Sequence, residues 1–155
     1  MNFSSKKKGM ERIHELRELI LEFVRVEKDP LVMVEGYSFG SKNSHAHALG
    51  ELGGVVRYAL WKREIPWIEI APTVRSKFAT GRGNAGKSEV VSAISARTGI
   101  IWDGAGGDDR CDAWILEECG RAKLGSARYD WPYLNLSALD KVDWTPLTDR
   151  GFVFD

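Results

Sequence analysis

The chain has 155 residues, 43% of them hydrophobic, and its 22 Lys+Arg balance 22 Asp+Glu to a formal net charge of zero. That is length and apolar content for one ordinary globular domain with a real core. The zero charge argues against a bulk polyanion binder, and no apolar run reaches the roughly 18 residues that span a bilayer.

The basic start MNFSSKKKGM leads into a charged amphipathic stretch and not an apolar leader, so a cytoplasmic protein is expected. Ile13, Leu16, Leu19, Ile20, Phe23 and Val24 recur at three- and four-residue spacing and predict a helix over 8–27. After Pro30, LVMVE reads as a short buried strand ending at Glu35. GYSFGSKNS is a Gly/Ser loop, and Ser44 can cap a helix over 45–63 whose glycines and alanines permit close packing. Pro66 stops that helix, and WIEIA reads as a second strand. A short helix from Pro72 to about Phe78, the loop GRGNAGKS and a helix over 86–98 follow. The glycine-rich GIIWDGAGG then leads into a helix from near Asp108 to Cys119. Residues from Gly120 onward lack clear periodicity and read as an extension on the surface, giving a main domain over 1–120 and a C-terminal extension over 121–155. Strands alternating with helices mean an α/β domain with parallel pairing. Two strands alone do not make a stable sheet-centred domain, so a strand segment is missing from the count.

GRGNAGKS satisfies the phosphate-loop pattern G-x-x-x-x-G-K-[ST], with Gly81, Gly86, Lys87 and Ser88 in place. Such a loop leaves a strand directly and opens a helix. Here the helix-like TVRSKF intervenes, so the context is wrong for a nucleotide and a mobile loop carrying Arg82 and Lys87 toward a backbone phosphate is the simpler expectation.

Charge is segregated along the chain. Residues 57–87 carry a net +5 and residues 103–118 a net −5. A basic strip beside an acidic cluster suits an enzyme that works on a polyanion with metal ions, and equally suits two solvated faces. Within the acidic cluster, Asp109 and Asp112 form D-x-x-D at a helix start, which puts both on one face. With the strand-end Glu35 they could cradle Mg²⁺ or Mn²⁺ for phosphodiester hydrolysis. The plainer alternative is that Asp108 and Asp109 cap the helix and Glu35 is a salt-bridge partner. Cys111 and Cys119, without a C-x-x-C pattern, are expected to be reduced.

VMVEGYSFGSKNSHAHALGELGGVVRYAL, IPWIEIAPTVRSKFATGRGNAGKSEVV and DDRCDAWILEECG, in that order, resemble the RuvC family of Holliday-junction resolvases, closest to its phage and actinobacterial branch. The resemblance implies an RNase H-like fold, a mixed sheet flanked by helices. It also implies four carboxylates holding two magnesium ions, and a homodimer that nicks opposed strands of a four-way DNA junction. Residue by residue it assigns Glu35, Asp109 and Asp112 as metal ligands and Lys87 as a basic residue meeting DNA phosphate. Tyr37 and Phe39 become aromatics that wedge or stack on unpaired bases, or else anchors of their loop. The resemblance makes helix 45–63 the dimer helix, while Lys77 and Arg82, members of the basic strip, are expected to contact DNA as well. One departure is marked: the family opens with a G-[IL]-D-x-S strand whose Asp is a central ligand, and this sequence has none. The chain is therefore expected to be N-terminally truncated relative to the family, either a junction nuclease or a catalytically impaired branched-DNA-binding protein.

Overall fold

The computed structural model describes residues 4–37, 44–149 and 151, with 44–49 described as backbone only. Its elements run α1 (Gly9–Arg25), β1 (Val32–Glu35), α2 (Ser44–Trp61), β2 (Trp67–Ile70), α3 (Pro72–Thr80), α4 (Lys87–Thr98) and α5 (Gly107–Lys123). A short α6 (Tyr133–Leu136), a 3₁₀ turn (Leu139–Lys141) and a short α7 (Thr145–Thr148) follow. Chain packing divides them into two units, one of residues 1–32 with 37–67, the other of 33–36 with 68–155.

In the first unit α1 packs on α2. Leu21, Ala59 and Leu60 are buried together, with Val32, Val56, Ile65 and Trp67 packed against them. The stripe read from α1 is shifted: Leu21 is 2% exposed, whereas Phe23, expected inside, is 55% exposed. Ile13, Leu16 and Val24 are buried as the spacing predicts. At 100° per residue these three and Leu21 share one face, and Phe23 falls at its edge.

β1 and β2 form the two-stranded sheet. The amide of Val32 donates to Pro66 O and that of Gly36 to Ile70 O, four residues on in both strands, so the pair is parallel. β1 is only partly buried and Glu35 at its end is exposed, which corrects the expectation of a fully buried strand. β2 is the better covered strand, with Ile68 and Ile70 at 1% and 0% exposure.

The second unit is organised around α3, which packs on α4, α5 and α6. Pro72 opens α3 without loss of a needed donor, and left-handed Gly81 closes it. α5 runs on to Lys123, beyond the end expected near Cys119. Gly120 lies inside it at a close approach, where an added Cβ would stand 2.9 Å from Met33 Sδ. Arg121 and Lys123 lie in its last turn, where the helix dipole favours cations.

Residues after Gly120 are more than a surface extension. Trp131, Leu139, Trp144 and Leu147 are all buried. Trp131 packs on Phe78 with ring centroids 4.3 Å apart, and Asn135 Nδ2 donates to Phe78 O at 2.7 Å. Glu118, 0% exposed, accepts from the Arg128 amide at 2.8 Å and from Trp131 Nε1 at 3.1 Å. Three short helical turns hold this segment, too short to register as periodicity.

Candidate functional site

The second unit brings together carboxylates from two elements around one base. Glu35 ends β1, Asp112 lies in the second turn of α5, and Arg75 lies in the first turn of α3. Arg75 Nη1 stands 2.8 Å from Glu35 Oε1 and 2.6 Å from Asp112 Oδ2. Helical spacing explains the placement. Val74, Phe78 and Ala79 form the buried face of α3, and Arg75 falls on that face beside Val74. A charge buried there requires a partner of opposite sign, and α5 and β1 supply two.

Burial pushes the carboxyls of both Glu35 and Asp112 above the ordinary range, and the Arg75 charge pulls them back down. Burial prevails at both. One guanidinium nitrogen thus partly compensates two half-desolvated anions.

A second cluster joins α4 to the start of α5. Lys87, the first residue of α4, donates from Nζ to Asp108 Oδ2 at 3.0 Å and pairs with Asp109 Oδ1 at 3.8 Å. The Lys87 hydrogen bond holds Asp108 below its ordinary range, and Asp108 holds Lys87 above its own. Asp109 and Asp112 sit three apart on α5 as the spacing requires, yet they pair with different cations, Lys87 and Arg75.

The carboxylates are hard oxygen donors of the kind Mg²⁺ takes. Their arrangement does not fit a divalent ion as it stands. Two of the three expected donors turn to Arg75 and the third to Lys87, and among the described residues no group of three or more His, Cys, Asp or Glu is placed to hold a metal.

The other expected residues are dispersed. Lys77 donates to Ser137 Oγ at 3.0 Å, tied to the C-terminal segment. Arg82, in the loop before α4, pairs with Glu89. Tyr37 belongs to the first unit, where the Arg57 guanidinium stacks 4.5 Å from its ring centroid and hydrogen-bonds its hydroxyl at 3.2 Å. Phe39 lies outside the described residues. The loop GRGNAGKS follows α3 and no strand, as the wrong context for a phosphate loop predicts. Arg75 is the residue that motif reading missed. The available signal was an arginine among the inward positions of an apolar helix face, which demands a buried anion.

No family model matches the chain. Over 110 residues it is 32% identical to the crossover junction endodeoxyribonuclease RuvC of Carboxydothermus hydrogenoformans, a match that takes in 71% of this chain and 66% of that relative. The chain therefore spans just under two thirds of the length of this curated relative. Thermus thermophilus RuvC superposes with a TM-score of 0.60 at 22% identity, covering 84% of this chain and 79% of that one. The same protein in complex with a Holliday junction substrate superposes with a TM-score of 0.60 at 21% identity, covering 83% and 78%. The fold is thus RuvC-like, an α/β fold of the RNase H-like kind. Among the described residues no helix is long and apolar enough to cross a membrane.

Proposed function

We propose that this chain, 32% identical over 110 residues to a crossover junction endodeoxyribonuclease RuvC, is a nuclease that resolves four-way or similarly branched DNA in the cytoplasm. The observation that carries the reading is the convergence of Glu35 and Asp112, from β1 and α5, on one cation, with Lys87 and Asp109 at the adjoining helix starts. Lys87 and Arg82 offer positive charge to a strand's phosphates. Tyr37, Phe39 and Lys77 are secondary contacts in this reading, and α2 is the face of a homodimer. Tyr58 and Trp61 on α2 support that last assignment, being 60% and 65% exposed and packed on each other. The motifs favour the phage and actinobacterial branch.

The reading includes dependence on Mg²⁺ or Mn²⁺, because Glu35, Asp109 and Asp112 have the donor chemistry for such ions. Their arrangement serves Arg75 and Lys87, so the roles given to this chain's own residues stop at binding DNA and placing charge.

A second reading, binding of branched DNA without cleavage, is favoured by one observation: Arg75 spans the gap between Glu35 and Asp112.

A labelled four-way junction incubated with the chain and Mg²⁺ or Mn²⁺ tests both. Paired nicks in opposed strands, abolished by Glu35→Gln with binding retained, support the nuclease. Preferential binding with no nick at any ion concentration supports the second reading. Equal affinity for a junction and a linear duplex removes both.

A further inference from the structure

The chemistry of the acidic site and what spans it point in different directions. Glu35 and Asp112 are donors that a divalent ion would take, and a buried guanidinium lies against both. Deepening the nuclease reading, on which this rests, we propose that Arg75 is a resident cation. Its guanidinium holds Glu35 and Asp112 together, and a divalent ion reaches them only by displacing it.

Three features carry this. First, a single nitrogen, Nη1, contacts both carboxylates, at 2.8 and 2.6 Å, so the guanidinium spans the gap an ion would bridge. Second, the Arg75 side chain is 9% exposed, yet its Nε is buried without a hydrogen-bond partner. The guanidinium is therefore held at this end by exchangeable ion pairs, and no bond from Nε fixes it. Third, the neighbouring cation makes its ion pairs elsewhere. Lys87 is taken up by Asp108 and Asp109.

Removing the positive charge leaves two partly desolvated anions facing one gap. That arrangement is unfavourable alone and is relieved by a divalent cation. Arg75 thus sets the ion concentration at which the site loads.

The test is calorimetric titration of Mn²⁺ into the full chain as wild type, Arg75→Gln and Arg75→Lys. R75Q should bind Mn²⁺ at least about tenfold more tightly than wild type, equivalent to about 1.4 kcal/mol. R75K should also gain, because the shorter lysine side chain does not carry its nitrogen to where Nη1 meets both carboxylates. In parallel, Mg²⁺ is titrated into wild type while the Arg75 Nε–H resonance is followed. It should shift, and exchange faster with water, along the ion-binding isotherm. Equal or weaker Mn²⁺ affinity in the folded variants overturns the proposal. Should neither variant fold, an Arg75 signal unmoved at saturating Mg²⁺ does the same. Junction cutting is not a readout here, so either overturning result leaves the nuclease reading intact. Tighter Mn²⁺ loading by R75Q, with no cutting by any form, sinks only the nuclease reading.

Discussion

Arg75 and Asp112 make the closest contact of the acidic site, Nη1 to Oδ2 at 2.6 Å, with side chains 9% and 16% exposed. Glu35 shares the same nitrogen from a side chain 41% exposed. The two carboxylates are therefore partly redundant as partners of one buried charge. Glu35→Ala or Asp112→Ala alone leaves Arg75 one partner, so each should cost less than the about 3–5 kcal/mol of a fully broken buried pair. The double variant removes both oxygen acceptors of the guanidinium, which a protonated carboxyl would still offer through its carbonyl oxygen, and should reach that range. Urea melts of the four forms measure it, and the coupling should make the double cost exceed the sum of the single ones. Simple additivity would mean that Arg75 does not depend on the pair.

The pH dependence of stability follows from the same burial. Glu35 and Asp112 are raised above their ordinary values by desolvation. A carboxyl raised on folding contributes stability that is fully present below its unfolded pKa and is lost as pH rises through its folded pKa. Asp108 and Asp143 are lowered, by the Lys87 and Thr145 hydrogen bonds respectively, and their contributions are lost as pH falls through their folded values. Melting temperature should therefore climb as pH drops from neutrality toward the ordinary carboxylate range, then fall below it. Glu35→Gln with Asp112→Asn should flatten the upper limb and leave the acid limb. A wild-type profile flat between neutrality and that range would contradict the burial argument.

The order of elements was legible because each is punctuated locally: Pro30 and Pro66 before the strands, Pro72 at the start of α3, Gly81 and Gly99 at helix ends. So was the nearness of Glu35 to Asp112, through the resemblance and the D-x-x-D spacing. The partners of Arg75 were not: its inward position on α3 signals a buried anion, but which carboxylates it meets depends on how α3 faces β1 and α5, a tertiary fact. The C-terminal segment was illegible for a different reason. Its burial rests on single anchors, Trp131 on Phe78 and Asn135 on the Phe78 carbonyl, and not on a repeating stripe.

Those anchors give the third prediction. Glu118 is wholly buried and accepts from Trp131 Nε1 and the Arg128 amide. It also pairs with the Arg128 guanidinium, Nη1 to Oε2 at 3.4 Å, so Glu118→Leu keeps approximate volume and takes the acceptor from three donors, at about 1–3 kcal/mol for each one that water cannot reach. A urea melt should show that loss, and proteolysis should cut first within 121–149. Wild-type stability and protease resistance would show that the segment is held some other way.

The start of α5 is tightly constrained. A Cβ on Gly107 would stand 2.4 Å from Trp102 O, a backbone atom that cannot swing aside. Gly107→Ala must move the chain at the point that presents Asp108 and Asp109, and should cost about 1–3 kcal/mol as overpacking does. The displacement should also weaken the Lys87–Asp108 pair, so the Asp108 carboxyl should titrate closer to its ordinary value in carbon-detected NMR. Unchanged stability together with an unchanged Asp108 titration would place the loop elsewhere.

Lys87 separates stability from function. Its pair with Asp108 is solvent-exposed on both sides, at 64% and 46%, and such pairs contribute little to folding. Lys87→Ala should leave the melting temperature almost unchanged. In the nuclease reading the same ammonium faces a phosphate during strand scission, where a fixed positive charge matters far more than in the ground state. Losing one such stabilising group costs about 10²-fold or more in rate. Junction cleavage should fall by that order while junction affinity falls only modestly, since one phosphate contact among several is lost. Single-turnover cleavage and gel-shift titration at one salt concentration separate the two. A drop in affinity equal to the drop in rate would reduce Lys87 to an ordinary phosphate contact, and a collapse of the melting temperature would make it structural.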